Sequence, residues 1–502
     1  MTITRRTALG SAAAALALPA ARRAEAAGNG VLRIGIGSSL SKLDPLLTTI
    51  GDEYIYDNLL FNGLTRMTED QTIQPDLAES WQFSEDLTSW SFHLRRGVKF
   101  HDGTEMTSAD VVAMVRRLLD PATAAPSRSN YDMVSAVDAP DDYTVVFKLA
   151  SAYGGLADIL SDRQVKIVPR GKVAQLAQQP IGTGPFKFVS YTPGDRLVMA
   201  RNPDYFEPGM PKLAGVELRI IPEMSAKLAA LQSGELDVVW DLPLDQVKPL
   251  SARADLHVDS VASGSWDAAI MNNLTPPFND KRVRLAFQMA VDKADIVELT
   301  LFGQGAPTIS PIPPTHPFYL HDFQPPAADP ASARKLLAEA GHPNGISVPI
   351  VVPVGRAIRE RLGVTLQQLA KPAGFDLQVQ RVPFSSFDAE VSGKAPLYID
   401  GYFARPTIDT STYPFLHSGG SWNAKLWHYS DPAVDAALTA ARLAGDLAVQ
   451  RARYLDMQRT LLADPCGFFA YSVNFACTYS KRVSGVKTHP MRWFDLRQAM
   501  VA

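Results

Sequence analysis

Apolar residues recur along this chain with two periods, and the switches between them outline its elements. Trp90, Phe92 and Leu94 alternate with Ser91 and His93, the period of a half-buried strand. Turn signals follow at Arg96-Gly97 and Asp102-Gly103. Thr107, with Asp110 three residues on, then opens a helix whose apolar face is Val111, Val112, Met114, Val115, Leu118 and Leu119. Tyr143, Val145, Phe147 and Leu149 restore the two-residue period.

The same alternation of periods continues to the end. Strands are predicted at 31–36, 186–190, 216–221 and 238–240. A helix over 225–233 stops at Gly234, a residue that accepts the left-handed cap conformation. Beyond Asn272-Asn273 the pattern predicts a long helix over 281–301 and another from Asp329-Pro330 to Gly341. Strands at 348–352 and 377–382 flank a helix at 358–369; 432–463 is largely helical and 467–473 extended. Strands and helices alternating over two long stretches indicate an α/β protein with two lobes.

Composition narrows what such lobes can do. At 502 residues the chain exceeds one hydrophobic core, and its 46% hydrophobic content is ordinary for a globular protein. Arg5-Arg6, the apolar run 8–20 and Ala24-Glu25-Ala26 have the order of a twin-arginine signal peptide over 1–26. Its apolar run is too short to span a bilayer. Removing it moves the formal charge from −3 to −6, which leaves no basic footprint for nucleic acid. The expected location is the periplasm. There Cys466 and Cys477 are free to pair, and two buried thiols fit equally well.

Catalytic signatures are missing from the text of the chain. Gly35 and Gly37 begin a G-x-G pattern, but Leu40 stands where a dinucleotide loop needs its third glycine. His101-Asp102 sits at a turn with no nucleophile in view, and His316/His321 and His417/His428 lack metal-ligand spacing. The loop at Gly37-Ser38-Ser39 either offers backbone amides to a ligand, making Ser39 a candidate, or is an ordinary connection.

Residues 78–120, with IGTGPFKFVSYTPGD at 181–195, RNPDYF at 201–206, ALQSGELDVV at 230–239, PPFNDKRVRLAFQMAVDKADIV at 276–297, DPASARKLLAEAGHPNG at 329–345 and SGGSWN at 418–423, resemble in order and spacing the extracellular solute-binding proteins of family 5, the peptide/opine/nickel class that feeds ABC importers. The resemblance implies a hinged, class II-like two-lobed periplasmic binding fold with an extra domain inserted in the first lobe. It implies a first lobe at 27–60, 180–268 and 480–502, the insertion at 61–179, and the second lobe at 269–479. It implies a monomer, no cofactor, no catalytic residue, and transient contact with ABC permease transmembrane subunits. The ligand would be a short peptide or an opine-like zwitterion closed into the cleft. Alternatives are a receptor for a metallophore or nickel complex, and a secreted peptide hydrolase.

The segment DGYFARPTIDTSTYPFLHSGGSWN at 400–423 is the leading site candidate. In peptide-binding relatives a corresponding segment carries an Asp for the ligand's amino terminus, and Asp409 is its nearest match here. The surrounding RPTID departs from the pattern of dipeptide binders. Arg405 suits a ligand carboxylate, so Arg405 and Asp409 either read a zwitterion or pair with each other. Tyr402, Phe403 and Trp422 are candidate aromatic walls. Trp266, Asn272 and Arg356 complete the ligand-binding candidates; Arg356 matches loosely the place where some relatives hold a carboxylate. No metal ligand is assigned.

Overall fold

The computed structural model describes residues 30–323 and 327–502. The signal-like segment lies outside them. Among the described residues one mixed sheet of eleven strands runs through the molecule. Its two halves are built alike. In the first, Val31–Ile36 lies parallel to both Gly215–Ile220 and Val238–Val239. In the second, Ile346–Val354 lies parallel to both Phe375–Pro383 and Leu397–Tyr402. Such parallel strands need cover on both faces, which explains runs like VLRIGI and ISVPIVVPV.

Two long strands join the halves. Leu256–Met271 pairs antiparallel with Phe468–Ser480, from Leu256 opposite Ser480 to Ala269 opposite Phe468. Register breaks between Ala262 and Ser265. Ser263 fills the break: its hydroxyl donates to the Val473 carbonyl at 2.7 Å and accepts the Ser265 N–H at 3.0 Å. A bulge of this kind bends a strand and sharpens its twist.

The inserted unit is a second sheet of four antiparallel strands: Ala78–Phe83, Ser89–Leu94, Thr144–Leu149 and Val134–Asp141. Helix Ser108–Leu119 covers it, and Asp110 accepts the Thr107 N–H at 3.0 Å, as the capping pattern predicts. Trp90, Phe92, Phe147, Val115 and Leu118 form its core; burying each side chain of this size stabilises by about 1.5–3 kcal/mol.

The IGTGPF motif docks this unit on the first half. A Cβ at Gly182 would stand 2.2 Å from the Leu60 carbonyl oxygen, so only glycine allows the approach. His101 completes the joint, with Nε2 3.1 Å from the Gly184 carbonyl and Nδ1 accepting the Gly182 N–H at 3.3 Å. Burial pushes this imidazole down to about 4, so it is neutral and structural.

One reading of periodicity is corrected, one is refined and one strand is new. The expected helix at 281–301 is two, Lys281–Ala290 and Lys293–Leu301, because Val291 is extended and Asp292 caps the second through Ala294 N–H at 2.7 Å. The helical stretch 432–463 likewise divides into Pro432–Arg442 and Leu447–Ala463, the latter capped by Asp446. The strand Leu256–Met271 has no counterpart among the predicted elements. Both cysteines are buried and unpaired.

Candidate functional site

The segment after strand Leu397–Tyr402 leaves the second half toward the other two bodies. Gly401 lies opposite Asp267 across the ladder, and a Cβ there would come within 2.0 Å of the Asp267 carboxylate. Thr407 starts helix Ile408–Leu416 by accepting the Thr410 N–H at 3.0 Å. Between them, Tyr402 to Arg405 form an arm.

The arm rests on aromatics. Trp266, 3% exposed, is surrounded by Tyr402, Phe415, Trp427 and Phe469 at centroid distances of 5.1–6.1 Å. It is core. Tyr402 and Trp422 are half-buried and lie 5.0 Å apart, with Trp422 stacked at 11° on Phe415. They form the outer layer of the same cluster.

At the arm's tip three bodies meet. Ala404 packs with Met491 and Trp493 of the C-terminal segment, and Met67 of the inserted unit lies against them. Phe403 is covered by the Arg492 guanidinium at 4.9 Å. Arg492 is ion-paired with Asp241 at 2.8 Å. Both residues hold left-handed backbone, with φ of 67° and 54°. Asp adopts this conformation readily, but in a side chain as long as Arg492 it is strain of the kind that gathers at functional sites.

Arg163 enters from the inserted unit. It is 6% exposed, lies 3.8 Å over the Tyr54 ring, and donates to the Met491 carbonyl at 3.3 Å. Arg405 is half-buried, and its Nε has no partner among the described residues. Burial, then the neighbouring Arg163 charge, lowers the Arg405 pKa from its usual value. His489 braces this wall: Nδ1 accepts the Met491 N–H at 3.1 Å and Nε2 faces the Thr68 carbonyl at 2.9 Å.

The carboxylates nearby are engaged. Asp409 takes a two-pronged bond from Arg442, at 3.0 and 2.8 Å, and a hydroxyl from Tyr153 at 3.1 Å. The Arg405–Asp409 pairing expected as one alternative is therefore replaced by Arg442–Asp409 within the second half, and the Tyr153 hydroxyl ties that carboxylate to the inserted unit. Asp267 and Asp400 share Arg359, at 2.9 and 2.6 Å, and Tyr471 donates to Asp267 at 3.1 Å. Gly37 and Ser38 N–H groups point at Asp52, at 3.2 and 2.7 Å, which closes the small polar loop from within.

The remaining sequence candidates lie apart. Ser39 accepts the Gly194 N–H at 3.1 Å. Asn272 donates to the Gly393 carbonyl at 3.0 Å and accepts the Leu274 N–H at 3.1 Å, a structural role. Arg356 is exposed over Phe384 at 3.9 Å. Sequence reading missed Arg163, Tyr54 and Arg492. The available signal was weak: Ser161, Asp162, Arg163, Gln164 and Lys166 form a polar run that reads as a surface loop yet is buried throughout. A separate apolar cavity of about 170 Å³ lies in the second half, lined by Lys293, Cys466 and Phe469. Among the described residues, no group of three His, Cys, Asp or Glu could hold a metal ion, and no helix is long and apolar enough to cross a membrane.

Comparison with known families decides the class. Residues 72–423 match the family described as bacterial extracellular solute-binding proteins, family 5 Middle. The chain belongs to that family. This family 5 protein is 28% identical over 481 residues to the glutathione-binding protein GsiB of Pectobacterium atrosepticum, covering 93% of each chain. Its fold matches the Helicobacter pylori periplasmic protein DppA in complex with peptide STSA, with a TM-score of 0.79, 25% identity and 94% and 98% coverage. It also matches MoaA of A. tumefacien R10 in complex with mannopinic acid, with a TM-score of 0.75, 27% identity and 91% and 95% coverage. The two-lobed binding fold expected from sequence is thus established, and the family consists of solute-binding proteins.

Proposed function

We propose that this family 5 protein is a periplasmic receptor that captures a small amino-acid-derived acid, a short peptide or an opine-like conjugate, and delivers it unaltered to an ABC permease. The observation that carries the reading is Arg405, whose Nε is buried without a partner where both lobes and the inserted unit meet. A guanidinium in that setting is completed by a carboxylate, and the bond strengthens when water is excluded. Tyr402 and Trp422 supply flat apolar surface beside it. The relatives support the ligand class: one is named for glutathione, a tripeptide acid, and two solved neighbours hold a peptide and mannopinic acid.

Capture works by differential affinity. A solute that touches both lobes stabilises the closed arrangement by as much as it prefers that arrangement. Native mass spectrometry of protein taken from its own periplasm tests the reading. The expected result is a non-covalent small acid, released intact and able to raise the melting temperature on re-addition. Conversion of that molecule by the protein would overturn it in favour of a hydrolase.

A further inference from the structure

Arg163 and Arg405 come from different bodies yet converge on one place. Ala404, which precedes Arg405, packs on Met491, and the Met491 carbonyl receives Arg163. Neither guanidinium has an acid as a hydrogen-bond partner. Arg163 has the Tyr54 ring and a carbonyl; Arg405 has an unpartnered Nε and the Phe415 ring at 6.0 Å. The acid closest to the pair in sequence and charge is Asp162, which accepts the Gln164 N–H at 2.9 Å. Two guanidiniums and one carboxylate leave a single positive charge. By contrast, Arg492 is matched by Asp241, and Arg442 and Arg359 by Asp409, Asp267 and Asp400.

We propose that Arg163 and Arg405 form a clamp for one carboxylate, with its two jaws on separate moving bodies, so that the solute is selected by its acid end and its amine is not read. This rests on the cleft being the solute site. Closing without an anion pushes two like charges together away from water, which is costly. A carboxylate between them turns the same approach into two charge-assisted contacts. Asp409, already saturated by Arg442 and Tyr153, has no part in the choice.

The test follows closure directly. Nitroxides on Ser135→Cys and Lys371→Cys report the gap between inserted unit and second lobe, while Cys466 and Cys477, at 1% and 0% exposure, remain unlabelled. Protein stripped of solute in denaturant and refolded should be mostly open. Arg405→Glu, which pairs with Arg163, should raise the closed-to-open ratio at least tenfold without solute, and the double variant Arg163→Glu/Arg405→Glu should reopen. Arg405→Gln, a milder change, should shift the ratio the same way. Distributions unchanged by Arg405→Glu and Arg405→Gln overturn the clamp, as does a double variant that stays closed.

The small-molecule fraction released on stripping serves as probe for the chemistry. After acetylation it should still close the wild-type protein; after methyl esterification it should not. The reverse order overturns selection by the acid. If the untreated fraction closes nothing, the solute-receptor reading falls, and the charge variants still decide the clamp.

Discussion

Two arginines of the second lobe face the inserted unit, Arg442 and Arg405, and they differ in what completes them. At the rim, Arg442 grips Asp409 while Tyr153 donates to the same carboxylate. The neighbouring backbone is also tied, Gly154 N–H to the Arg442 carbonyl at 3.3 Å. Deeper in, Arg405 feels the charge of Arg163, with no acid bonded to either. The first contact is complete within the chain and holds shape. In the second, Arg405 Nε has no partner among the described residues, and a buried donor left without a partner costs about 1–3 kcal/mol. On the proposed reading the contrast separates structural charge from charge that awaits a ligand, although Arg405 and Asp409 are only four residues apart.

The comparison can be broken most severely at a third arginine of the completed kind. Arg359→Met strands the Asp267 and Asp400 carboxylates, whose side chains are 11% and 13% exposed. A loss of about 3–5 kcal/mol in urea unfolding is expected. A smaller effect, on binding, is expected for Arg405→Gln. Isothermal titration with the released solute should show affinity weakened by about 30–100-fold, the value of a charge-assisted contact. Stability should hold or rise, since an unpaired charge is removed; a drop as large as that of Arg359→Met would erase the distinction.

Next comes pH. Burial lowers the His489 pKa to about 4, whereas the unfolded imidazole titrates near its ordinary 6.5. The unfolded chain therefore binds the proton first as pH falls. Stability is full above 6.5 and declines toward 4. Between pH 7 and pH 5 the loss from this one group is on the order of 1–2 kcal/mol. His489→Gln should flatten that part of the pH dependence of unfolding. Smallest is Asp409→Asn, which keeps the Tyr153 acceptor but weakens the pair with Arg442, whose own side chain is 27% exposed and can turn to water. About 1 kcal/mol of stability should be lost, with solute affinity changed less than threefold. A large affinity loss restricted to ligands with a free amine would return Asp409 to the ligand site.

Local signals made much of the scaffold legible. Trp90, Phe92 and Leu94 alternate in sequence and are buried in the sheet, and Thr107 and Asp110 cap the helix they announce. The break at Val291 was hidden because Asp292 reads equally as a mid-helix acid or as a cap. Leu256–Met271 escaped notice because it passes between two environments: its first half is mixed in burial, and its last seven residues are buried on both faces. At the site, Arg405 was legible as a cation within an aromatic segment. Arg163 was not, because its neighbours Tyr54 and Met491 are remote from it in sequence, and polarity alone says nothing of burial when three bodies enclose a loop. Asp409 was misleading for the opposite reason: its partner Arg442 lies on the helix Pro432–Arg442, remote from the motif that drew attention to it.

The paired strands Leu256–Met271 and Phe468–Ser480 carry a further consequence. Phe468–Ser480 pairs with Val238–Val239 of the first half and Gly305–Pro307 of the second, while Leu256–Met271 pairs with Leu397–Tyr402 of the second, with the irregularity at Ser263 in the middle. No slack tether separates the lobes there, so heat or force that peels one half must also unzip rungs belonging to the other. Scanning calorimetry should accordingly record the two lobes melting together, even though the proposed capture needs a solute to draw them closed.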